Sequence, residues 1–342
     1  MTNEAAPTLV PAVPYAGTRR AAGRAAGVLA EIAALVGGAA LVLSAAPVLV
    51  LLRLLLPVLP GPVRAVARLV LLYGVYLVVF ELPVLWAVLR LRVTPPPAGQ
   101  GQFQTHLPVL RRASARFFGP GLTALGLRPQ VEQPVLDPDR PVVLLMRHAG
   151  VLNTQLALHF MVNRLERVPH AICKRAVTAD PALAALIRPL ALYPIRWDTA
   201  GRFRALRHLM GIGRELGAGD VAVVFPEGTN FSRRRQRRSA AGAEGAVAGG
   251  CVLPAMSGGA RAVLAAAPEA QIVFVGHTGL EDLLPWRLGA GYPSSGRGRF
   301  RVACWSVERS EVPRGKDEFA RWLDLQWVAM DRWVRAARAE RG

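Results

Sequence analysis

The sequence predicts an α/β fold, in which helices flank a mostly parallel β-sheet, preceded by a hairpin of hydrophobic helices. Beyond residue 103, short apolar runs alternate with longer helical stretches, which is typical of strands and helices arranged around a parallel sheet. Hydrophobic residues make up 52% of the 342-residue chain, and the excess is concentrated before residue 93. A Pro- and Gly-rich stretch separates the two parts and marks the clearest domain boundary.

Four segments follow from these patterns. Residues 1–26, which are rich in Pro, Ala and Thr, are expected to form a flexible tail. Residues 27–93 are expected to be hydrophobic, membrane-associated helices, and residues 94–102 a linker. Residues 103–342 are expected to form the α/β domain.

Two apolar runs predict the hydrophobic helices. Residues 32–52 carry no charge and are long enough, at about 1.5 Å per residue, to cross a bilayer core of roughly 30 Å. The second run, 69–89, is interrupted by Glu81 and Pro83. Full spans and a re-entrant hairpin in one leaflet both fit, and a buried hairpin of a soluble domain is the alternative. Arg residues lie before, between and after the runs, so loop charge does not set the orientation.

Within the α/β domain, the strands are predicted from short apolar runs and the helices from the longer stretches between them. The first helix has an amphipathic pattern, and the first strand is a continuous apolar run, as expected for a buried strand. The predicted helices are 107–125, 154–165, 181–190, 202–216, 256–267 and 316–337. The predicted strands are 140–146, 170–174, 192–196, 221–225, 271–276 and 300–307.

The formal net charge of +19 suits an anionic partner, such as a membrane surface, an anionic substrate or a nucleic acid. Almost all basic residues are Arg, and Lys174 and Lys316 are the only lysines. The Arg-rich run 233–238 has no interleaved aromatic side chains on which bases would stack, so no nucleic acid is expected. The run can add positive charge to a site or dock on anionic headgroups, and a solvated loop is its commonest fate.

The three cysteines lie far apart and do not have the spacing of a disulfide framework or a metal site. No metal is therefore expected. Free thiols suit a reducing compartment. Together with the hydrophobic helices, they predict a membrane protein whose α/β domain, residues 103–342, faces the cytoplasm.

Polar residues follow four of the predicted strands at the point where each strand ends. Active sites of parallel sheets gather at these carboxyl ends. The residues are His148 with Asn153, then Lys174 with Arg175, then Arg196, and finally Glu227, Gly228 and Thr229.

The chemistry of these residues suits group transfer. A histidine with a polar orienting group can remove a proton from a hydroxyl. The Glu-Gly-Thr turn can bind a polyol or stabilise an oxyanion, and the cationic side chains can neutralise a phosphate. Each motif alone is also compatible with a helix start, an ordinary loop or solvated charges.

Taken in this order, the motifs resemble the glycerolipid acyltransferase family, typified by 1-acyl-glycerol-3-phosphate acyltransferase. That family carries a His-x4-Asp motif, a later basic strand, a Phe-Pro-Glu-Gly-Thr-Arg block and a Val/Leu-Pro block. The matching stretches here are His148 to Asn153, Lys174 with Arg196, residues 225–230 and residues 252–254. The resemblance covers roughly residues 100–310, and the Phe-Pro-Glu-Gly-Thr block is its most specific part.

The resemblance implies an O-acyltransferase. His148 would be the general base on the hydroxyl of a lysophospholipid such as 1-acyl-glycerol-3-phosphate, with Asn153 as its partner. The acyl group would come from acyl-CoA or acyl-carrier protein as co-substrate, and no other cofactor is implied. Glu227 and Thr229 would hold the glycerol, and amides near Gly228 the oxyanion. The phosphate would be bound by Lys174, Arg175 and Arg196.

Three positions depart from the family pattern. Asn153 replaces the family's Asp, Asn230 replaces its Arg, and Met256 lies where a related branch often has Arg. An amide fixes the imidazole tautomer imperfectly and hardly stabilises an imidazolium. In the serine-protease triad the corresponding change costs about 10⁴ in rate. Two alternatives therefore stand beside the lysophospholipid prediction: a non-phosphate lipid acceptor, and a catalytically lapsed protein that binds lipid or acyl-CoA.

Overall fold

The computed structural model describes residues 21–94, 101–150, 152–187, 189–190, 192–195, 199–240, 250–283 and 298–340. Most of the predicted tail (1–26) and of the predicted linker (94–102) lies outside these residues. So does Arg196.

Three helices form the N-terminal part of the described chain. They are α1 (Ala21–Leu55), α2 (Gly61–Tyr76) and α3 (Leu82–Val93), and a π-helical turn, Leu77–Glu81, joins α2 to α3. The break before α2 follows from Pro60, Gly61 and Pro62, because a helix accommodates proline in its first turn far better than in its interior. Two stretches are long and apolar enough to cross a bilayer, Glu31–Leu55 and Val66–Val93.

Burial distinguishes these two apolar stretches. The most apolar window of Glu31–Leu55 has no buried residue, whereas half of the corresponding window of Val66–Val93 is buried. Phe80 and Val84, on the second stretch, are buried in the same hydrophobic core as Leu144 of the sheet. The second apolar run is therefore partly a core element of the α/β domain, and α1 presents the exposed apolar surface.

The α/β domain contains a seven-stranded sheet in the order β1-β7-β6-β2-β5-β3-β4. The strands β2 to β6 are parallel, β7 is antiparallel to β6, and β1 is parallel to β7. The predicted mostly parallel sheet is confirmed. The strands are β1 (Leu127–Val131), β2 (Val142–Met146), β3 (Val168–Lys174), β4 (Leu192–Ile195), β5 (Asp220–Val224), β6 (Gln271–Thr278) and β7 (Gly298–Val307).

Helices cover both faces of this sheet. They are α4 (Gln102–Arg116), α5 (Leu122–Ala124), α6 (Asn153–His159), α7 (Pro181–Ile187), α8 (Thr199–Glu215), α9 (Arg233–Ala240), α10 (Ser257–Ala266) and α11 (Lys316–Ala339). Alternate residues of the fully buried strand β2 pack against the helices on the two faces of the sheet, because successive side chains of a strand point to opposite faces. Leu144 packs in the core shared with α3, α4 and α6, and Leu145 in the core shared with α8, α10 and α11.

Two elements differ from the sequence predictions. Strand β1 was not predicted, because Arg128, Pro129 and Gln130 leave it without an apolar run. The Arg-rich run 233–238, expected as a solvated loop, forms helix α9 instead. Ser232 caps this helix, since its Oγ accepts a hydrogen bond from the Arg235 N–H at 3.2 Å.

Candidate active site

The sheet order places the predicted polar strand ends together. Strands β2, β5, β3 and β4 are consecutive neighbours and run in the same direction. His148 lies two residues beyond β2, the 225–230 turn follows β5, and Lys174 is the last residue of β3. The structure therefore brings these three motifs to one edge of the sheet, where parallel α/β proteins form their sites.

Glu227 braces the backbone around His148. Its carboxylate is buried, with Oε1 accepting the His148 N–H and Oε2 accepting the Leu253 N–H, each at 3.0 Å. Burial raises the pKa of Glu227 to about 7, although the Arg147 charge and the two N–H donors oppose that shift. Both oxygens are engaged inside the protein, and contact between Glu227 and an acceptor glycerol stays a prediction.

The turn that carries Glu227 is closed by its own backbone. The Gly228 N–H donates to the Phe225 carbonyl at 2.9 Å, and Gly228 has a φ of +63°, a conformation that favours glycine. The amide of Gly228 is thus used in the turn, and Thr229 follows as a half-buried residue. The oxyanion and glycerol roles predicted for this turn remain predictions.

His148 is held in its neutral form. Its ring packs against Phe225, with the ring centroids 4.6 Å apart, and its side chain hydrogen-bonds to Asn230. Burial lowers the pKa of His148 to about 4; the Lys174 and Arg235 charges add to this shift, and the Asn230 bond opposes it. A neutral imidazole is the form that a general base requires.

Asn153 does not pair with His148 through its oxygen. Its Oδ1 accepts hydrogen bonds from His277 Nε2 at 2.8 Å and from the Ala149 N–H at 3.3 Å. The Nδ2 of Asn153 and the Nδ1 of His148 are both buried and have no hydrogen-bond partner within the described residues. The side-chain partner of His148 is instead Asn230, which the sequence singled out only as a replaced Arg.

Two cations flank the histidine. Lys174 is exposed at the end of β3, and Arg235 on α9 donates from Nη1 to the Asn230 carbonyl at 2.9 Å. Burial, and then the nearby Arg235 charge, lower the pKa of Lys174. Arg175 follows on an exposed turn. Positive charge therefore lies close enough to His148 to affect its pKa, which suits an anionic substrate.

Comparison with protein families decides what kind of domain this is. Residues 128–277 match the family model described as Acyltransferase. This region is an acyltransferase domain of the glycerolipid acyltransferase family. No curated protein and no solved structure matches the chain. The predicted resemblance is confirmed at the level of the family.

A buried network of charged residues, which the sequence did not reveal, lies behind the site in the acyltransferase domain. Arg147, directly before His148, is fully buried. Its guanidinium donates to the carbonyl of Cys251 at 2.7 Å, to Glu281 Oε1 at 3.1 Å and to the carbonyl of His277. Arg338 also pairs with Glu281. An Arg at the end of an apolar run was the available signal, but its partners lie too far along the chain to be identified.

His277 is a second residue near the site that the sequence patterns did not single out. It lies in β6, next to β2 in the sheet. Burial lowers the pKa of His277 to about 3, so its ring is neutral. Among the described residues, no group of three or more His, Cys, Asp or Glu is placed to hold a metal ion.

The shifted pKa of His148 predicts the pH dependence of the acyltransferase reaction. We expect kcat/KM to stay nearly constant as the pH falls from 8 to 5, and to drop only as it approaches 4. Protonation removes the lone pair that a base needs, and burial lowers the pKa of His148 from its ordinary value of 6.5 to about 4. The profile is measured from initial rates over this pH range. Recovery of activity at pH 7.5 is checked after each acid exposure. An acid limb near pH 6.5 that persists in Glu227→Gln would contradict it; the variant is needed because the pKa of Glu227 itself is raised to about 7.

Proposed function

We propose that this protein is a membrane-associated O-acyltransferase that transfers a fatty acyl group from an acyl thioester to the hydroxyl of a lysophospholipid. The model acceptor is 1-acyl-glycerol-3-phosphate, and the donor is acyl-CoA or acyl-carrier protein. One observation carries the proposal: in the acyltransferase domain, a half-buried His148, whose pKa burial lowers to about 4, lies at the carboxyl edge of the sheet with Lys174 and Arg235 beside it.

The proposed chemistry is a direct transfer. The Nε2 of His148 accepts the proton of the acceptor hydroxyl while that oxygen attacks the thioester carbonyl. The tetrahedral intermediate then collapses, the C–S bond breaks, and the leaving thiolate takes the proton from the imidazolium. The lowered pKa of His148 makes the imidazolium a good acid for this last step. The products are the acylated lipid and the free thiol.

The cations beside His148 favour a phosphate-bearing acceptor. The family's Arg after Glu-Gly-Thr is Asn230 here, yet the Arg235 guanidinium bonds to the Asn230 carbonyl at 2.9 Å. Arg235 and Lys174 each lower the pKa of His148, so both charges act at the site. We propose that Arg235, with Lys174, Arg175 and Arg196, holds the phosphate. This supports a lysophospholipid over the non-phosphate acceptor.

Helix α1 supports the membrane part of the proposal. Large apolar side chains such as Leu43, Val50 and Leu54 are exposed along it, and an apolar surface of this kind marks an interaction with lipid or protein. Anchoring by this helix would keep the acyltransferase domain next to an acceptor that resides in lipid. We propose that the domain faces the cytoplasm, where acyl thioesters are available.

A catalytically lapsed protein that binds lipid or acyl-CoA is the second candidate function. The observation that favours it is the Asn153 oxygen, which bonds to His277 rather than to His148. Such a protein would bind acyl-CoA or a lyso-lipid without turnover, and Asn153→Asp would create activity that the wild type lacks.

An acyl-transfer panel tests the proposal and separates the candidates. Purified protein is assayed with acyl-CoA and acyl-carrier protein as donors, against phosphate-bearing lyso-lipids and phosphate-free monoacylglycerol and amine lipids. We expect turnover with 1-acyl-glycerol-3-phosphate or another lysophospholipid. Transfer only to phosphate-free acceptors would support the alternative substrate, and binding without transfer the lapsed protein.

Arg235→Gln sharpens the substrate test. We expect it to raise KM for the phosphate-bearing acceptor about tenfold, because a charged hydrogen bond contributes roughly 1.5–3 kcal/mol, with kcat changed little. Arg237→Gln, an exposed arginine two residues further along the same helix and therefore on a different face from Arg235, is the matched control and should leave KM unchanged. Equal effects of the two substitutions would indicate a general electrostatic effect of α9 rather than a phosphate contact.

A further inference from the structure

The C-terminal helix α11 packs directly against β6, the strand next to β2 in the sheet. A Cβ at Gly276 would lie 2.7 Å from Met330 Sδ and 3.1 Å from the Trp333 ring, so β6 and α11 approach more closely there than a side chain allows. Met330 and Val334 of this helix are fully buried. Because close packing fixes the helix against the sheet, polar side chains on the same side of α11 reach fixed points in the domain.

Two charged side chains of α11 contact Cys251, which lies in the segment before α10. Asp331 Oδ1 accepts the Cys251 N–H, and Arg338 Nη1 lies 3.0 Å from Cys251 Sγ. Asp331 and Arg338 are about two turns apart and therefore lie on one side of the helix. The segment around Cys251 is thus held from α11 through both its backbone and its side chain.

Arg338 also holds the turn that follows β6. Its Nη2 donates to Glu281 Oε1, and its Nε donates to the Thr278 hydroxyl at 3.4 Å. Glu281 accepts the Gly279 N–H at 3.1 Å and pairs with Arg147 Nη1 at 3.1 Å. The Glu281 side chain is only 1% exposed, so cationic partners rather than bulk water compensate its charge. Arg338 therefore connects the turn after β6 to the end of β2.

Both connections from α11 lead to His148. The first continues through Leu253, whose N–H donates to Glu227 Oε2, and Glu227 Oε1 accepts the His148 N–H, each at 3.0 Å. The second passes through Glu281 to Arg147, the residue directly before His148. The backbone N–H of His148 and the side chain that precedes it thus both depend on groups that α11 holds.

We propose that Arg338 and Asp331 are positioning residues, which hold the backbone of His148 in place from the C-terminal helix. Only the kinetic consequence rests on the proposed function. A catalytic group displaced by about 1 Å can lose roughly 10² in rate, so the effect is expected on kcat. KM for the acceptor should change little, because the proposed phosphate ligands Lys174 and Arg235 lie on β3 and α9.

Hydrogen exchange of the full-length protein in detergent tests the backbone part without any substrate. Arg338→Gln is expected to speed exchange of peptides covering residues 146–149, 250–254 and 278–281 by at least about tenfold, the effect of losing a charge-assisted hydrogen bond. Exchange within β5, residues 220–224, should stay at the wild-type rate. Arg332→Gln, at an exposed arginine of the same helix, is the matched control and should leave all four regions unchanged.

Steady-state acyl transfer tests the kinetic part. We expect Arg338→Gln to lower kcat, corrected for the folded fraction, by about 10- to 100-fold, with KM for the acceptor changed by less than about threefold. Arg338→Lys keeps a positive charge beside Glu281 and should recover most of the lost kcat. Arg332→Gln should match the wild type in both constants.

Wild-type exchange at residues 146–149 in folded Arg338→Gln would overturn the proposal, and so would a kcat per folded molecule equal to that of the wild type. If Arg338→Gln does not fold, Arg338→Lys and Asp331→Asn should show the same pattern of faster exchange at smaller size. Wild-type exchange in both would again overturn it. Faster exchange at residues 146–149, in a protein whose wild type transfers no acyl group, would support the positioning role while refuting the proposed function.

Discussion

Replacing His148 with Ala is expected to lower kcat for acyl transfer by about 10²–10⁴-fold, the usual contribution of a general base. The neighbouring groups are poor substitutes. Glu227 has both carboxylate oxygens bound to backbone N–H groups, and Lys174 and Arg235 flank the histidine as cations. KM for the acceptor should change by less than about threefold, since the histidine acts on the transition state more than on substrate binding.

The measurement is steady-state transfer of a labelled acyl group to the best acceptor of the panel, for wild type and His148→Ala side by side. His106→Ala is the control, because His106 lies on α4 and its ring hydrogen-bonds within that helix, to the Gln102 carbonyl and the Thr105 hydroxyl. Both variants should unfold at temperatures close to that of the wild type. If His148→Ala keeps more than about a third of wild-type kcat, another group removes the proton and the assignment fails.

The sequence could predict where the site lies because the responsible patterns are local. A buried strand is an apolar run, and polar residues just beyond Met146 and Val224 must appear at the carboxyl edge if the sheet is parallel. The family resemblance then named the chemistry of His148 and of the Glu227 turn. None of this required knowledge of contacts between distant parts of the chain.

The partner of Asn153 could not be predicted in this way. His277 is 124 positions further along the chain, and it reaches Asn153 only because β6 pairs with β2 in the middle of the sheet. Helical or strand periodicity carries no information about such a pairing. The motif suggested that Asn153 faces His148, whereas the structure shows its oxygen engaged on the other side.

Composition also failed to separate the two hydrophobic runs. Both are apolar enough to cross a bilayer, and only tertiary contacts show that Phe80 and Val84 belong to the core of the acyltransferase domain. Helix α9 was missed for a related reason. Consecutive arginines repel one another, which favours an extended loop, but Gln236 is buried and Ser232 caps the first turn. The burial of Gln236 and the cap by Ser232 offset the repulsion between the arginines, and both can be recognised only when the fold is known.

Arg147→Ala is expected to destabilise the folded protein by about 3–5 kcal/mol, the usual cost of removing one partner of a buried ion pair. The guanidinium is fully buried and donates to two backbone carbonyls, those of His277 and Cys251, as well as to Glu281. Its removal leaves both carbonyls without this donor and takes one of two cations from Glu281. Arg338 still pairs with Glu281, which keeps the loss within this range.

The free energy of unfolding, measured by urea denaturation in one detergent, tests this expectation. Arg301→Ala is the matched control, because it breaks the Arg301–Glu340 ion pair, whose carboxylate side chain is 60% exposed. Surface pairs of this kind contribute about 0–1 kcal/mol, so the two Arg substitutions should differ by at least 2 kcal/mol. Equal destabilisation would mean that water or another cation reaches the Arg147 site. In that case the buried Arg147 ion pair would not be what stabilises the end of β2. Another interaction would then have to hold His148 beside Lys174 and Arg235.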